Sequence, residues 1–241
     1  MTLPNQLVPS PVLTSTVEIR FKSTVDKSKI LPLMIANFYE ILPNFSETGI
    51  PNEVKEANEQ LKFYPDYVLK NEDFSISFSD KAISFENING YKLWDNYFSF
   101  IKSVLLKIFE IKIIESVDRI GIRYSSIFEL KGNKIEEILN SIPKLFLDNY
   151  EGDFFTFSTN IFVDKYRLYL QLNSNNTITK ENDETISGLH IDIDASYSDE
   201  LVNITSFEPV CGIINDLHTH EKSLFFSLIK LSFLEREFQI N

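Results

Sequence analysis

Two short segments of this 241-residue chain carry the same alternation of apolar and polar residues. The first is VEIRF at 17–21, and the second, 103 residues later, is IGIRY at 120–124. Apolar side chains at every second position are typical of a strand with one buried face, so Val17, Ile19 and Phe21 are expected in the core. Each segment precedes a helical pattern, three strand-like runs and a long helical pattern. This order predicts an internal duplication, with accidental recurrence as the alternative.

The hydrophobic periodicity predicts the boundaries of these elements. In the first half we expect a strand at 16–21, a helix from its N-cap Ser28 to Pro43, strands at 60–68, 74–79 and 81–86, and a helix at 91–111. In the second half we expect a strand at 118–124, a helix at 134–147, strands at 154–162, 166–172 and 189–194, and a helix at 210–237. A polar stretch at 173–188 predicts a loop.

These elements predict an α+β fold in which duplicated strand, helix, three strands and long helix units form one antiparallel sheet of about eight strands, with the helices packed on one face. Residues 1–13 contain three of the nine prolines and predict an extended arm. Residues 14–112 and 113–241 are expected to be two halves of a single domain. The element order is similar to the saddle of TATA-binding proteins and related helix-grip folds, a likeness that implies no DNA binding.

The cysteine count and the hydropathy exclude several classes of protein. A single cysteine, Cys211, allows neither an internal disulfide nor a CxxC site, which favours a reducing compartment. The N-terminal residues lack a signal-peptide pattern, and no apolar run approaches the about 20 residues of a membrane span. We therefore expect a cytoplasmic protein without a membrane partner.

The charge balance bears on the kind of partner. The chain has 23 basic and 35 acidic residues, a formal net charge of -12. Because nucleic-acid affinity depends on basic side chains that neutralise phosphates, direct binding of DNA or RNA is not expected. The acidic surface either keeps the protein soluble or masks a basic partner, and the sequence leaves both open.

One strand carries a possible metal-ligand set. His190, Asp192 and Asp194 alternate with apolar residues, so a strand would present them on one face, either to a metal ion or to solvent. His218 and His220 are two residues apart on a predicted helix, where residues of one face are three or four apart, so they are not expected to share an ion. No metal or other cofactor is therefore assigned.

Nucleophilic and phosphate-binding motifs are also absent from the sequence. Cys211 lies near the start of a predicted helix, where the helix dipole favours a thiolate, but it is equally typical of a small buried residue. His218 lies two helical turns further on, beyond reach of its sulfur. With 7 glycines, none in a P-loop, GxGxxG or GxSxG pattern, an NTPase or a Rossmann enzyme is disfavoured. No catalytic residue is assigned.

The arginines of the repeated strands are candidate ligand-binding residues. Arg119 and Arg123 share a strand face, and Arg20 takes the equivalent place in the first half. They are expected either to bind a carboxylate or phosphate or to pair with acidic neighbours such as Glu18 and Asp118. A pocket between the sheet and the long helices, near Trp94 and Arg123, is a further possibility. The predicted binding residues are Arg20, Trp94, Arg119, Arg123 and Tyr124.

Several motifs together resemble an uncharacterised family of bacterial and archaeal proteins of similar length and sporadic distribution. They are VEIRF at 17–21, Tyr91-x-x-Trp94-x-x-Tyr97-Phe98, the RIGIRY segment at 119–124, IDID at 191–194, and Leu217-His218 ahead of Phe225 and Phe226. His220 is not part of the family pattern. The resemblance implies a mobile accessory context such as phage defence or toxin–antitoxin loci, and it supplies no activity.

Three functions remain open from the sequence. The first is a non-catalytic interaction or regulatory subunit of such an accessory system, which binds a protein partner. The second is a metal-dependent hydrolase or nuclease centred on His190, Asp192 and Asp194. The third is a small-ligand sensor.

Overall fold

Nine antiparallel strands form one continuous sheet in the computed structural model, which describes residues 3–141, 154–179, 185–198 and 204–241. In chain order the described strands are β1 (Leu7–Val8), β2 (Val12–Ser23), β3 (Asn44–Glu47), β4 (Tyr67–Lys70), β5 (Phe74–Phe78), β6 (Ala82–Asn87), β7 (Ile114–Glu129), β8 (Thr156–Val163), β9 (Tyr166–Thr179), β10 (Thr185–Tyr197) and β11 (Gln239–Ile240). The sheet has the order β3-β4-β5-β6-β2-β7-β10-β9-β8, and β1 pairs separately with β11.

Six α-helices accompany the sheet in the described ranges. They are α1 (Lys27–Phe38), α2 (Asn52–Ala57), α3 (Trp94–Glu110), α4 (Ile135–Ile138), α5 (Phe207–Leu228) and α6 (Leu231–Glu237). None of the helices in these ranges is both long and apolar enough to cross a bilayer.

The two repeated segments lie side by side at the centre of the sheet. β2 and β7 pair antiparallel, and Glu18 is directly opposite Gly121, its counterpart 103 residues along the chain. Each central strand then pairs with the last strand of its own half, β2 with β6 and β7 with β10. The predicted α+β fold with one antiparallel sheet is therefore confirmed. The boundaries of the two halves stay a prediction.

The alternation in the central strands separates a buried face from a charged face. Val17, Ile19 and Phe21 are buried as predicted, in a core shared with Ile120 of β7 and with helices α1, α3 and α5. Helix α3 contributes one stripe of buried side chains, namely Tyr97, Ile101, Val104, Leu105 and Ile108. Because successive side chains of a strand point to opposite faces, the intervening arginines lie on the other side, here called the charged face.

The first predicted helix has different ends. α1 begins at Lys27, one residue before the predicted cap Ser28, and its N-cap residue Asp26 makes no side-chain capping bond. The helix ends at Phe38, so Ile41, within the predicted range, lies beyond it and is 49 % exposed.

The predicted strand at 60–68 is wrong over most of its length. The side chain of Asn58 accepts a hydrogen bond from the backbone N–H of Gln60 at 3.0 Å and starts a 3₁₀ turn, Glu59–Leu61. β4 therefore begins only at Tyr67. Strand β3 and helix α2 were not predicted, since neither has a regular apolar period.

Three predictions in the second half also change. The loop at 173–188 is wrong, because β9 and β10 continue into it and Thr179 pairs with Thr185; residues 180–184 lie outside the described ranges. Of the predicted helix at 134–147, only α4 (Ile135–Ile138) is helical in the described ranges. Residues 142–147 lie outside these ranges. The closing helix at 210–237 is two helices, because Ile229 leaves the helical conformation to pair with Leu139.

The N-terminal arm is fastened to the C-terminus. Leu7 pairs with Ile240 and Val8 with Gln239, and the backbone N–H of Asn5 donates to the carbonyl of Asn241 at 2.8 Å. Between these pairings and β2, the arm contacts α5 through Asn5 and Lys222 and forms one wall of the cavity described next.

Candidate functional site

Three arginines of the charged face bind carboxylates of this same chain. The guanidinium of Arg119 lies between Glu18, at 2.8 Å, and Asp194, at 3.4 Å. Arg20 donates to the same Glu18 oxygen at 2.7 Å, and its guanidinium stacks on the ring of Phe63 at 4.1 Å. The acidic neighbours expected from the sequence thus occupy these arginines, although the contacts involve Glu18 and Asp194 instead of Asp118.

Arg123 forms a bidentate ion pair on this face. Its Nε donates to Asp192 Oδ1 at 2.9 Å and its Nη2 to Oδ2 at 2.7 Å, a bidentate geometry. The hydrogen bond to Asp192 raises the pKa of Arg123. Asp192 is 4 % exposed, so its charge is compensated almost entirely by this one guanidinium.

The candidate metal ligands therefore have protein partners. Asp192 and Asp194 bind arginines, and His190 Nε2 shares a hydrogen bond of 2.7 Å with Ser125 Oγ. In the part of the chain that the structure describes, no group of three His, Cys, Asp or Glu side chains is arranged to hold a metal ion. The trio predicted from the strand pattern does not form a site by itself.

The contact between Ser125 and His190 resembles a nucleophile with its base, but no described residue forms a hydrogen bond that orients the imidazole from its other nitrogen. Asp192 is the nearest carboxylate on the same strand face, and its two oxygens bind Arg123. Burial lowers the pKa of His190, so the ring is neutral near pH 7. We interpret the pair as a structural hydrogen bond between β7 and β10.

The thiol of Cys211 is not activated. The residue is buried in α5, and this burial raises its pKa to about 11. A thiol in this state is a small apolar side chain and not a nucleophile at neutral pH.

A cavity of about 210 Å³ lies on the opposite face of the sheet, between the arm, β7, the start of α3 and α5. We call it the Glu221 cavity. The side chains that define it are Tyr91, Trp94, Tyr124, His218, Glu221 and Phe225. Its volume is below the range of about 300 to 1,000 Å³ typical for drug-sized ligands, so it fits a compact molecule.

The carboxyl group of Glu221 is the most unusual feature of the cavity. Glu221 is 4 % exposed, and no described group donates a hydrogen bond to it or pairs with it. Burial raises its pKa to about 8, so the group is mostly protonated at neutral pH. An ionisable group that is buried, without a partner and in contact with a cavity is a candidate binding group.

Two tyrosines line the same cavity as Glu221. The hydroxyl groups of Tyr91 and Tyr124 share a hydrogen bond of 3.3 Å, and their rings pack edge to face at 5.6 Å. Burial raises the pKa of Tyr91 to about 12 and raises that of Tyr124 as well. Both phenols therefore stay neutral and can donate or accept hydrogen bonds.

The indole of Trp94 is held by two aromatic neighbours. It stacks on His218 at 3.8 Å and on Phe98 at 4.9 Å. Burial lowers the pKa of His218 to about 3, so the imidazole is a neutral ring at physiological pH. Trp94 therefore contributes a fixed wall to the cavity and is not free to stack on a ligand.

The sheet separates the five predicted binding residues. Arg20, Arg119 and Arg123 lie on the charged face, whereas Trp94 and Tyr124 lie at the Glu221 cavity. Arg123 and Tyr124 are neighbours in sequence, yet they point to opposite sides of β7. The expected pocket therefore includes Trp94, as predicted, but it does not include Arg123.

Sequence reasoning missed Tyr91, His218 and Glu221 as one group. The signal was present in α5, where Leu217, Glu221 and Phe225 are four residues apart and all buried. A glutamate in an apolar helical stripe marks a charged group directed into the core.

Comparison of the chain with protein-family models, with curated proteins and with solved structures finds no match. A functional proposal therefore depends on the geometry of this chain alone.

Proposed function

We propose that this protein binds a compact small molecule in the Glu221 cavity. The observation that carries the proposal is the carboxyl group of Glu221, which is buried, lines the cavity and has no donor among the described residues. The small-ligand sensor expected as one alternative from the sequence is the function that this geometry supports best.

The energetic argument concerns the desolvated carboxyl group, which faces the cavity. Burial raises its pKa from 4.5 to about 8, so the folded chain disfavours the ionised form. A glutamine or leucine at the same position of α5 would avoid the free-energy cost of burying an ionisable group. A ligand that donates to Glu221 offsets this cost only in the bound state, which is the pattern expected of a binding residue.

The arm supports a regulatory form of binding. It covers the cavity with Gln6 and Leu7, and it is held by the pairing of β1 with β11. A ligand that contacts the arm stabilises both chain ends together, because the two ends pair with each other. Ligand occupancy is thereby coupled to the surface around the termini.

Trp94 makes the proposal directly testable, because it is the single tryptophan of the chain and it lines the cavity. We expect a ligand from a panel of compact metabolites to change Trp94 emission and to raise the melting temperature. At a concentration of 100 times Kd the expected stabilisation is about 2.7 kcal/mol.

Glu221→Gln should abolish both responses, whereas the exposed Glu208→Gln on the same helix should leave them intact. A panel at 1 mM in which no compound alters either signal for the unmodified protein would contradict a binding function. Responses that persist in Glu221→Gln would contradict the assigned site.

A second candidate function, association with a protein partner, is favoured by strand β8. It ends the sheet and pairs only with β9 in the described ranges. Its eight residues, TFSTNIFV, include no charge, proline or glycine, the devices that usually block edge-to-edge pairing. Phe162 on this strand is 73 % exposed.

We infer that the occupant of this edge is a second copy of the chain, joined by antiparallel pairing of β8 with β8. With a net charge of -12, two copies repel over most of their surfaces, and β8 offers an uncharged line of contact. The interaction subunit of an accessory system, and the family resemblance behind it, stay predictions.

Light scattering after size exclusion tests the association. We expect a dimer of the 28.0 kDa chain at micromolar concentration and a monomer for Phe162→Glu. Phe45→Glu, at the opposite edge of the sheet, is the matched control and should remain dimeric. A monomer at every concentration of the unmodified protein would exclude this dimer.

A further inference from the structure

The charged side chains around the Glu221 cavity do not balance: negative groups outnumber positive ones. The charged side chains that line it are Asp95, Glu221 and Lys222, together with the imidazole of His218. Lys222 Nζ donates to Asn5 Oδ1 at 3.2 Å, at an exposed position, and forms no described ion pair with Glu221. Burial, the largest effect, lowers the pKa of Lys222, whereas Asp95 and Glu221 both raise it. Two carboxyl groups therefore share one ammonium group, and one negative charge is left when both are ionised.

The remaining charge belongs to Glu221. The pKa of His218 is lowered to about 3 by burial, so its ring adds no positive charge at neutral pH. An ionised Glu221 is thus the uncompensated group of the cavity. A bound monocation would complete its charge balance, whereas a bound anion would add a second negative charge in a poorly hydrated space.

The walls of the cavity match the same class of ligand. Besides Glu221, they include the rings of Tyr91, Tyr124, Phe225 and Phe226. Electron-rich rings around a carboxylate are the environment that binds organic ammonium groups, since the ring quadrupole attracts a cation and the carbons contact its alkyl groups. A hydrated metal ion makes no use of these apolar walls.

We infer that the Glu221 cavity takes a compact organic cation, with its ammonium group at the Glu221 carboxylate and its alkyl groups against the aromatic walls. This inference rests on the proposed binding function. It adds the chemical class of the ligand and the direction of its pH dependence.

The pH dependence follows from the groups that face Glu221. On α5 these are His218 and Lys222, in the first turn of α3 it is Asp95, in the segment before α3 it is Tyr91, and on β7 it is Tyr124. The two phenols stay protonated, because burial raises both of their pKa values. The pKa of Glu221 is raised to about 8 by burial, so binding of a cation releases its proton. Cation affinity should therefore rise with pH, about tenfold per unit between pH 6 and 8, and level off above.

The test compares choline with 3,3-dimethyl-1-butanol, a neutral molecule of nearly the same shape, by calorimetry and Trp94 fluorescence at pH 8.5. Tetramethylammonium and acetate complete the panel. We expect the two cations to bind at least tenfold more tightly than the neutral compound, and acetate not to bind. Glu221→Gln should lose at least tenfold in choline affinity, a larger loss than the same variant shows for the neutral compound. Glu208→Gln should match the unmodified protein in both.

The outcomes separate the class of ligand from the existence of the site. If the neutral compound or acetate binds as tightly as choline, or if no cation binds while another metabolite changes Trp94 emission, the cation assignment is overturned and the binding function stands. If no compound of either panel binds, both proposals fail. Circular dichroism and thermal unfolding of Glu221→Gln establish that a loss of affinity is not a loss of fold.

Discussion

The imidazole of His218 lies face to face with the indole of Trp94, their ring centroids 3.8 Å apart and their planes 1° from parallel. This stack joins α5 to the start of α3 and forms one wall of the Glu221 cavity. Because protonation of His218 would place a charge in a buried position, the stack depends on a neutral imidazole, and its stability is expected to depend on pH.

The first prediction concerns acid stability. His218 has an ordinary pKa of 6.5 and a folded-state pKa of about 3, lowered by burial. Below pH 6.5 the unfolded chain takes up a proton that the folded chain does not, so stability falls until about pH 3. His218→Phe keeps the stack and should reduce this loss by on the order of 2 to 4 kcal/mol between pH 7 and 4.

Urea unfolding at pH 7 and 4 measures this effect. His220→Gln, two residues further on, is the control and should retain the acid sensitivity of the unmodified protein. Equal pH dependence of His218→Phe and the unmodified chain would show that the imidazole does not titrate as proposed.

The second prediction has the opposite sign. The pKa of Glu221 is raised by burial from 4.5 to about 8, so the folded chain keeps a proton that the unfolded chain loses. This contribution is complete below pH 4.5 and is lost as the pH rises to 8. Glu221→Gln should therefore be more stable than the unmodified protein at pH 8.5, by up to about 4 kcal/mol, and similar to it at pH 4.5.

The denaturant midpoints of Glu221→Gln and of the unmodified protein, compared at pH 8.5 and 4.5, test this prediction. Glu208→Gln is the control for loss of a surface charge. A gain in stability that accompanies a loss of ligand binding is the combination expected of a functional residue. A destabilised Glu221→Gln at pH 8.5 would mean that the carboxylate has a stabilising partner.

The third prediction concerns the bidentate pair on the charged face. Arg123→Met removes the guanidinium and leaves Asp192 buried without a partner. We expect a loss of about 2 kcal/mol, less than for a fully buried pair because Arg123 itself is exposed. Arg123→Met combined with Asp192→Leu should recover part of this loss, since both charges are then absent. A double variant that is less stable than Arg123→Met alone would contradict this account.

The fourth prediction compares two glycines in neighbouring strands. A Cβ at Gly121 would lie 2.6 Å from Arg119 Nη1, the end of a flexible side chain, whereas a Cβ at Gly188 would collide with the backbone carbonyl of Phe128. Gly121→Ala should cost about 1 kcal/mol by displacing the Arg119 guanidinium, and Gly188→Ala about 3 kcal/mol by displacing β10 from β7. Thermal unfolding measures both, and the opposite order would refute the close approach of the backbones.

Much of the sheet was predictable because its signal is local. Val17, Ile19 and Phe21 are buried as their alternation indicates, and the stripe of α3 was visible from its helical spacing. The errors arose where a side chain or a distant strand overrides the local pattern. Asn58 turns a predicted strand into a 3₁₀ turn, and Leu139 interrupts the last predicted helix by pairing with Ile229.

The candidate site was less predictable, because its members are far apart in the chain. Periodicity determined that Arg123 and Tyr124 point to opposite faces, and it determined that Glu221 lies in the apolar stripe of α5. Only the tertiary structure decided that Asp192 binds Arg123 and that no described donor reaches Glu221. The physical reason is that spacing along a strand or helix sets the direction of a side chain, whereas its partners depend on strand register, helix packing and the course of the arm.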